Sequence, residues 1–572
     1  METYDINLFG YQRRPSSVVQ VGDTPLGGEH PIRVQSMTTT STNDTEGSVE
    51  QAIRIIEAGG EYVRLTTQGV REAENLKNIN ALLRQRGYTT PLVADVHFNP
   101  HVADVAALYA EKVRINPGNY VDPARQFKQL EYTDEEYARE LEKIERQLVP
   151  FLNICREHGT AIRIGVNHGS LSDRIMSRYG DTPEGIVESC MEFLRICMRE
   201  QFMDVVISIK ASNTVVMVQS MRLLVAQMTR EGMDFPVHLG VTEAGEGEDG
   251  RIKSAVGIGA LLQDGIGDTI RVSLSEAPER EIPVARFLVD YVTTYRREAD
   301  LPVPSDAQAP AGYDWFRPVR RISARVGEVG GGQVPVVWDD IPVTSAVTAN
   351  PFTFDADTAE FLRKHPEVVV VSRPRTANRL GEHRALAFAL MNLGLQNPLV
   401  ACQEYAETQL QSLQLKAAAD TGVLFIDGLF DGLILQNHTD AIPQEQVRSL
   451  AFSILQAARA RFTKTEYISC PGCGRTLYDL EGTIARIKAA TSHLKGLKIA
   501  IMGCIVNGPG EMADADYGYV GAAKGKVSLY KQKTCVEKNI PEEEAVERLL
   551  AFIEEDQKAI SQDSNNQKQN IQ

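Results

Sequence analysis

Short apolar runs rich in β-branched residues alternate with longer amphipathic stretches between about residues 30 and 295. Eight such runs occur, at 32–37, 62–67, 91–96, 112–117, 161–166, 204–210, 236–241 and 268–274. The segments between them have a helical period, and several end at a glycine, as helix C-termini often do. Eight β/α units over roughly 250 residues match a TIM barrel. The count therefore favours a barrel over a doubly wound open sheet.

Polar residues lie at the ends of these predicted strands, where TIM barrels place their functional groups. Five of them are cations: Arg64, Arg114, Arg163, Lys210 and Arg271. A buried guanidinium group is destabilising unless an anion pairs with it. Asp95 and Glu243 can pair with only some of the five, so the surplus predicts an anionic ligand such as a phosphate. Any single arginine could instead form an internal salt bridge.

Uncharged and acidic candidates accompany the cations. They are Asp95, His97, Asn116, Asn167, Ser208, His238 and Ser273. Asp95, His97 and His238 could bind a metal, but so many basic neighbours favour hydrogen-bonding roles. Glu243 follows the seventh strand in a loop of small residues. It suits a general acid or base, or equally a partner for one of the arginines.

The composition changes after residue 297, where a Pro/Ala-rich linker is predicted over 298–318. A second α/β region follows, with strand-like runs at 334–338, 367–372, 398–403, 423–426 and 432–436. No set of catalytic residues stands out there. The interpretation is a barrel domain over 1–297 and an inserted structural α/β domain over 298–455.

Three cysteines near the C-terminus have the spacing of an iron–sulfur site held by only three thiolates: Cys470, Cys473 and Cys504. A structural zinc site is the alternative, with Cys535 as a further ligand. Strands are predicted at 498–502, 517–521 and 526–530. Residues 456–555 are interpreted as a small α+β iron–sulfur domain. The polar residues 556–572 are expected to be a disordered tail.

Charge and hydropathy limit the partners. The formal net charge of −16 argues against general binding of nucleic acid or an anionic membrane. No stretch of about twenty apolar residues predicts a membrane span. The N-terminal residues have neither signal-peptide nor transit-peptide character, which favours the bacterial cytoplasm.

Seven motifs in this order resemble the GcpE/IspG family, the 4-hydroxy-3-methylbut-2-enyl diphosphate synthases. They are VQSMT at 34–38, PLVADVHF at 91–98, RINPGN at 114–119, IRIGVN at 162–167, HLGVTEAG at 238–245, GIGDTIRVS at 265–273 and CIVNGPGE at 504–511. They fall within residues 15–285 and 465–540. The region 298–455 resembles the extra domain of the family's longer form.

The resemblance implies an iron–sulfur oxidoreductase of the methylerythritol phosphate route to isoprenoids. A [4Fe-4S] cluster would be held by Cys470, Cys473, Cys504 and Glu511. Reduced ferredoxin or flavodoxin would supply two electrons to open the ring of 2-C-methyl-D-erythritol 2,4-cyclodiphosphate and expel water. By the same resemblance the five cations would hold the diphosphate, with Asn116, Asn167, Ser208 and Ser254 assisting, and Glu243 would donate a proton to the leaving hydroxyl.

Two points stay open from the sequence. The cysteines could cap the barrel of their own chain or, in a homodimer, that of a partner. A non-redox barrel enzyme of the pterin-synthase type with a structural zinc domain is a competing hypothesis. A pure electron carrier is a weaker one, because a carrier has no use for five cations around a substrate pocket.

Overall fold

The structure is a computed structural model of the 572-residue chain. It describes all residues except 1–5, 124–125, 127, 298–306, 343–345, 477, 506–509, 511 and 570–572. For residues 295–297, 513 and 560–569 the description is limited to the backbone. No helix among the described residues is long and apolar enough to cross a membrane.

A parallel eight-stranded sheet confirms the predicted barrel. Its strands are β1 Arg33–Met37, β2 Tyr62–Thr67, β3 Leu92–Val96, β4 Lys112–Ile115, β5 Ala161–Asn167, β6 Val205–Lys210, β7 His238–Leu239 and β8 Thr269–Ile270. They are ordered β6-β5-β4-β3-β2-β1-β8-β7. A parallel bridge between Ile207 and Val237 joins the two outer strands. The sheet therefore closes on itself, although β7 and β8 are shorter than their sequence patterns indicate.

Helices follow the strands around the outside. They are α1 Thr45–Glu57, α2 Val70–Gln85, α3 Pro100–Ala106, α4 Pro117–Tyr120, α5 Asp134–His158, α6 Asp173–Tyr179, α7 Pro183–Arg199, α8 Thr214–Arg230, α9 Gly247–Gln263 and α10 Glu281–Arg297. α5 shows why such a segment is helical. Thr133 and Glu136 form a reciprocal capping box at its start, and Gly159 ends it with φ of 65°.

A second parallel sheet lies in the middle of the chain. Its strands are β9 Val336–Trp338, β10 Ala346–Ala349, β11 Val369–Ser372, β12 Leu399–Tyr405 and β13 Gly432–Asn437, and its helices are α11 Ala356–Lys364, α12 Arg379–Asn392, α13 Leu410–Ile426 and α14 Gln444–Ala457. The prediction of a strand at 423–426 is wrong, because these residues form the end of α13. β10 was not predicted. The described part of the linker, 307–318, contains neither helix nor strand.

The C-terminal sheet combines parallel and antiparallel strands. They are β14 Glu466–Ser469, β15 Lys498–Met502, β16 Tyr517–Ala523, β17 Lys526–Lys531 and β18 Thr534–Pro541, with α15 Leu480–Thr491 and α16 Glu542–Gln569. The sequence predicted β15, β16 and β17 but neither β14 nor β18. The expected disordered tail is also corrected, because α16 continues through 556–569. Asp556 accepts a hydrogen bond from Tyr517 at 2.8 Å and pairs with Lys531, which fixes this part of the helix to the sheet.

The middle segment packs directly against the barrel. A Cβ added at Gly259 of α9 would lie 2.9 Å from the Cβ of Ala419 in α13, so the two helices approach as closely as small residues allow. Beside this contact lie four buried charges. Arg222 donates to Asp264 at 2.8 Å and to Asp427 at 2.7 Å. Arg384 donates to the same two carboxylates at 3.0 and 2.8 Å, which closes a ring.

We expect Arg384→Met to destabilise the protein by about 3–5 kcal/mol, because it leaves two buried carboxylates with one guanidinium partner. Urea unfolding measures the loss. Arg373→Met is the matched control, since Arg373 forms a half-exposed ion pair with Glu404 and its loss should cost less than about 1 kcal/mol. Equal effects of the two substitutions would contradict a structural role for the ring.

Candidate active site

The C-terminal ends of the barrel strands and the cysteine loops line one partly open cavity, whose empty space of about 730 Å³ includes solvent at its mouth. Its barrel wall consists of Met37, Arg64, Arg163, Asn167, Ser208, Lys210, Thr242, Glu243, Arg271 and Ser273. Its opposite wall consists of residues 470–473, 475, 476 and 502–504. The sequence left open which barrel the cysteines face. Within this chain they lie over the barrel of the same chain.

Arg163 is a poorly satisfied cation of the cavity. Its Nε and one terminal nitrogen are buried and have no hydrogen-bond partner among the described residues. Burial, and after it the charges of Arg64 and Arg114, lowers its pKa well below the usual range for arginine. Lys210 has similar positively charged surroundings. Burial, and then the charges of Arg163 and Arg64, lowers its pKa strongly. These groups lack the negative charge that a bound anion would supply.

Arg271 and Arg64 have carboxylate partners. Arg271 donates two hydrogen bonds to Glu281, at 3.0 Å each. Arg64 pairs with Asp95 at 2.7 Å, and burial is the main reason that its pKa is lowered to about 10. Glu281 thus takes one cation out of the surplus, a pairing that the sequence pattern did not reveal.

Asp95 lies beneath the cavity and does not line it. The residue is 0% exposed, and its carboxylate meets three guanidinium groups: Arg64 at 2.7 Å, Arg114 at 2.8 Å and Arg475 at 3.1 Å. Burial would raise its pKa, but Arg64 and Arg114 hold it well below the usual value. Asp95 is therefore an ionised centre that organises the cations.

Arg114 is occupied by the protein itself. Besides Asp95, it contacts His97 Nε2 at 2.5 Å, the Gly165 carbonyl at 2.8 Å and Asn167 Oδ1 at 3.2 Å. Burial, and then the charge of Arg114, lowers the pKa of His97 to about 3, so the imidazole is neutral. Arg114 and His97 lie outside the cavity wall and support it from below.

Three other candidates also lie off the cavity wall. Asn116 donates to Ser170 Oγ at 2.8 Å and caps α4. His238 is buried inside the barrel, and burial followed by the charge of Lys210 keeps its pKa far below the usual value. Ser254 is buried in α9. The structure places none of the three in the lining of the cavity.

Glu243 has an unusual environment for a carboxylate. It is 4% exposed and one of its oxygens has no partner among the described residues. Burial raises its pKa, against lowering by the Thr242 hydrogen bond and by Lys210, Lys253 and Arg271. Its φ of 49° is in the left-handed region, which residues other than glycine adopt uncommonly. Such a carboxyl keeps its proton to a higher pH than an ordinary glutamate does.

The three thiols of Cys470, Cys473 and Cys504 line the cavity from the other side. The backbone N–H of Gly503 donates to Cys470 Sγ at 3.2 Å, a bond that favours a thiolate. Burial nevertheless raises the pKa of the Cys470 thiol to about 12, so this sulfur ionises only with a cation to bind. Glu511, the remaining predicted ligand, lies outside the described residues.

This donor set fits an iron–sulfur cluster better than a single zinc ion. Cys535, the extra zinc ligand considered from the sequence, lies on β18 and does not line the cavity; its Sγ is 3.6 Å from the Glu537 carbonyl oxygen. Among the described residues, which do not include Glu511, no group of three or more His, Cys, Asp or Glu side chains is arranged to hold a metal ion, and this finding favours neither the cluster nor the zinc ion. Three thiols along one wall, with no histidine among them, are typical ligands of a larger cluster.

The sequence analysis missed Arg475, Thr476, Met37 and Thr242, which also line the cavity. Arg475 was within reach of that analysis, because it follows Cys473 by two residues and adds another cation to an acidic chain. Thr476 Oγ1 accepts a hydrogen bond from the Cys473 N–H at 3.0 Å and so shapes the cysteine turn.

Comparison with known proteins gives two family matches. Residues 16–286 match the GcpE TIM-barrel domain and residues 466–555 match the GcpE protein C-terminal domain. The chain belongs to the GcpE family. Residues 287–465, which contain the second sheet, lie between the two matched segments.

Curated relatives span the whole chain. One from Bacteroides thetaiotaomicron, named 4-hydroxy-3-methylbut-2-en-1-yl diphosphate synthase (flavodoxin), is 61% identical over 97% of this chain and 100% of its own. The chloroplastic (ferredoxin) synthase of Oryza sativa is 39% identical over 97% of this chain and 88% of its own. A solved N-acetylneuraminic acid synthetase from Leptospira borgpetersenii shares 10% identity with a TM-score of 0.32, covering 51% of this chain and 92% of its own.

Unequal pairing of the cations allows a test. We expect Arg163→Met to leave the free energy of unfolding, measured in urea, unchanged or slightly higher, because the substitution removes an unpaired buried charge. It should weaken binding of pyrophosphate by about 10- to 100-fold, as loss of a charge-assisted hydrogen bond does.

Arg271→Met is the matched comparison, because it leaves Glu281 buried without its cation. It should destabilise the protein by about 3–5 kcal/mol. If Arg163→Met destabilised the protein as much as Arg271→Met, Arg163 would be part of the structural framework and not an anion ligand.

Proposed function

We propose that this chain converts 2-C-methyl-D-erythritol 2,4-cyclodiphosphate to 4-hydroxy-3-methylbut-2-enyl diphosphate. The observation that carries the proposal is the shared cavity, in which unsatisfied barrel cations face three cysteine thiols. The family and the names of relatives that match the full chain agree with this reaction. The cyclic diphosphate takes up two electrons and two protons, a ring C–O bond and the C–OH bond break, and one water leaves.

The barrel residues bind and orient the substrate in this proposal. Arg163, Arg64 and Lys210 donate to the phosphate oxygens, and Asn167, Ser208 and Ser273 complete the polar wall. Arg271 lines the same wall while held by Glu281. The sequence assigned substrate contacts to Asp95, His97, Arg114, Asn116, His238 and Ser254 as well. They lie behind the wall, where Asp95 and His97 contact the guanidinium groups, so we propose the six as supporting residues.

Glu243 is proposed as the acid that protonates the leaving hydroxyl. Burial raises its pKa, so it holds a proton where an ordinary glutamate has lost it. Its strained backbone points to a conformation that the surrounding loop maintains for this purpose.

Cys470, Cys473 and Cys504 would hold the [4Fe-4S] cluster, with Glu511 as the fourth, replaceable ligand. When bound, such a cluster supplies single electrons and a Lewis-acidic iron next to the substrate. Reduced flavodoxin or ferredoxin, which the names of the relatives include, is the proposed electron donor. A bacterial cytoplasm, with its reduced thiols, fits both the cluster and the donor.

The domain assignment of the sequence analysis is kept as a proposal: barrel 1–297, inserted structural domain 298–455 and cluster domain 456–555. In one chain the cysteines already cover the barrel mouth, so a homodimer would not be needed to complete the site. Anaerobic incubation with the cyclic diphosphate and an artificial reductant, followed by product analysis, tests the function directly. Failure to form the diphosphate product would contradict it.

Metal content is the sharpest test of the cluster. Protein purified anaerobically should be brown with about four irons per chain. Cys504→Ser should lose most of this iron, whereas Cys535→Ser should keep it, because Cys535 lies away from the cavity. A colourless protein with one zinc that needs Cys535 would instead support the zinc-domain alternative.

Removal of the Glu243 carboxyl should slow turnover with little effect on binding. We expect Glu243→Gln to keep the iron and the affinity for pyrophosphate but to lose about 10²- to 10⁴-fold in kcat, the usual contribution of a general acid. Glu246→Gln, three residues further along the same loop and outside the cavity lining, controls for disturbance of the loop. Unchanged kcat in Glu243→Gln would remove the residue from the mechanism.

The pH dependence of kcat has a definite sign. The raised pKa keeps Glu243 protonated below that value, so kcat should be highest on the acidic side and fall as the pH rises through it. The residual rate of Glu243→Gln should lack this alkaline fall. An alkaline fall that persists in the variant would assign it to another group.

A further inference from the structure

Arg475 belongs to the cysteine loop but reaches across to the barrel. It lies between β14 and α15, two residues after Cys473. One terminal nitrogen is 3.1 Å from Asp95 Oδ2, and the residue is only 7% exposed. Five cations of the site lie on a barrel strand or directly after one, whereas this one comes from the segment that carries the thiols.

The guanidinium of Arg475 is only partly satisfied by this contact. Its Nε and its other terminal nitrogen are buried without a hydrogen-bond partner among the described residues. Asp95 cannot supply more, because it already pairs with Arg64 at 2.7 Å and Arg114 at 2.8 Å. The residue lines the cavity beside Arg64 and Arg163. An anion in the cavity is therefore the natural acceptor for its remaining donors.

The turn that carries Arg475 is seated tightly on the barrel. A Cβ added at Gly474 would lie 2.7 Å from the Thr40 carbonyl oxygen, so no side chain fits there. Ser275 Oγ donates to the Cys470 carbonyl at 2.9 Å. The position of Arg475 and the position of the cysteines are consequently linked through a short stretch of fixed backbone.

We propose that Arg475 is a positioning residue that couples anion binding on the barrel to the placement of the cysteine loop. The bound anion completes the hydrogen bonding of the Arg475 guanidinium and so holds the loop against the barrel mouth. By thermodynamic linkage, a loop held in place also binds the anion more tightly. The identity of the anion as a substrate diphosphate rests on the proposed function, whereas the coupling does not.

The test uses iron-loaded protein prepared anaerobically, with inorganic pyrophosphate as the probe. Two quantities are measured: the Kd of pyrophosphate by calorimetry, and the rate at which a coloured chelator removes iron with and without saturating pyrophosphate. In the unaltered protein, pyrophosphate should slow iron release several-fold. In Arg475→Met, the Kd should rise about 10- to 100-fold, and saturating pyrophosphate should no longer protect the iron.

Arg486→Met is the matched control, because Arg486 lies on α15 of the same domain with an exposed side chain. It should behave like the unaltered protein in both measurements. Arg475→Lys, which keeps the charge without the planar fork, should recover part of the affinity. Unchanged affinity or intact protection in Arg475→Met would overturn the proposal.

If Arg475→Met fails to retain iron, the Kd of pyrophosphate is compared between the iron-free forms of both proteins. A weaker affinity in the variant supports the proposal, and equal affinities overturn it. These results are separable from the proposed reaction. Arg475-dependent pyrophosphate binding in a protein that does not turn over the cyclic diphosphate would contradict the function and leave the coupling in place.

Discussion

Unbalanced positive charge, buried at the mouth of the barrel, is the constraint on which the rest of the structure depends. One carboxylate, Asp95, is shared by three guanidinium groups, and Arg163 has no ion-pair partner among the described residues. Burial removes these groups from most of their water, so each cation that lacks an anionic partner is destabilising. A fold tolerates such a cost where function requires it. The groups behind the wall follow from the same need, because Asp95 and His97 hold Arg114 and Glu281 holds Arg271.

The second constraint is the placement of the thiols. β14 pairs with the barrel loop through a bridge between Ala244 and Ser469, directly before Cys470. A short connection joins α14 to β14. The sheet that precedes α14 is fixed to the barrel through α13 and through a buried ring of four charges, Arg222, Asp264, Arg384 and Asp427. The middle segment is therefore fixed to one side of the barrel, and the cysteine loops that follow it extend over the barrel mouth.

The sequence was sufficient to predict the barrel and most of the cavity lining. Both predictions rest on patterns within short stretches of the chain, namely the spacing of the strands and the polar residues at their ends. The sequence could not separate Arg114 from Arg163. The two are neighbours in register on β4 and β5, and only the three-dimensional arrangement shows that Asp95 and His97 occupy one while the other stays free.

The run at 423–426 failed for a different reason. A short apolar run fits a buried helix as well as a strand. In the structure the run forms the end of α13, which packs closely against α9 through small residues such as Gly259 and Ala419. The polar composition of 556–569 did not reveal that this segment is held in place. The contacts of Asp556 with Tyr517 and Lys531 form only when the sheet is folded.

The surplus of cations also bears on the proton that the reaction needs. Two opposing influences set the pKa of Glu243: burial raises it, and Lys210, Lys253 and Arg271 are among the groups that lower it. Under the proposed function, an anion bound by Lys210 would cancel part of the lowering effect of these cations and leave the burial unchanged. The pKa of Glu243 would then rise further, and the carboxyl would take up a proton as the anion binds. Binding of a diphosphate would in this way load the acid at the moment when the leaving hydroxyl is in place, and an empty cavity would keep the same carboxyl more readily ionised.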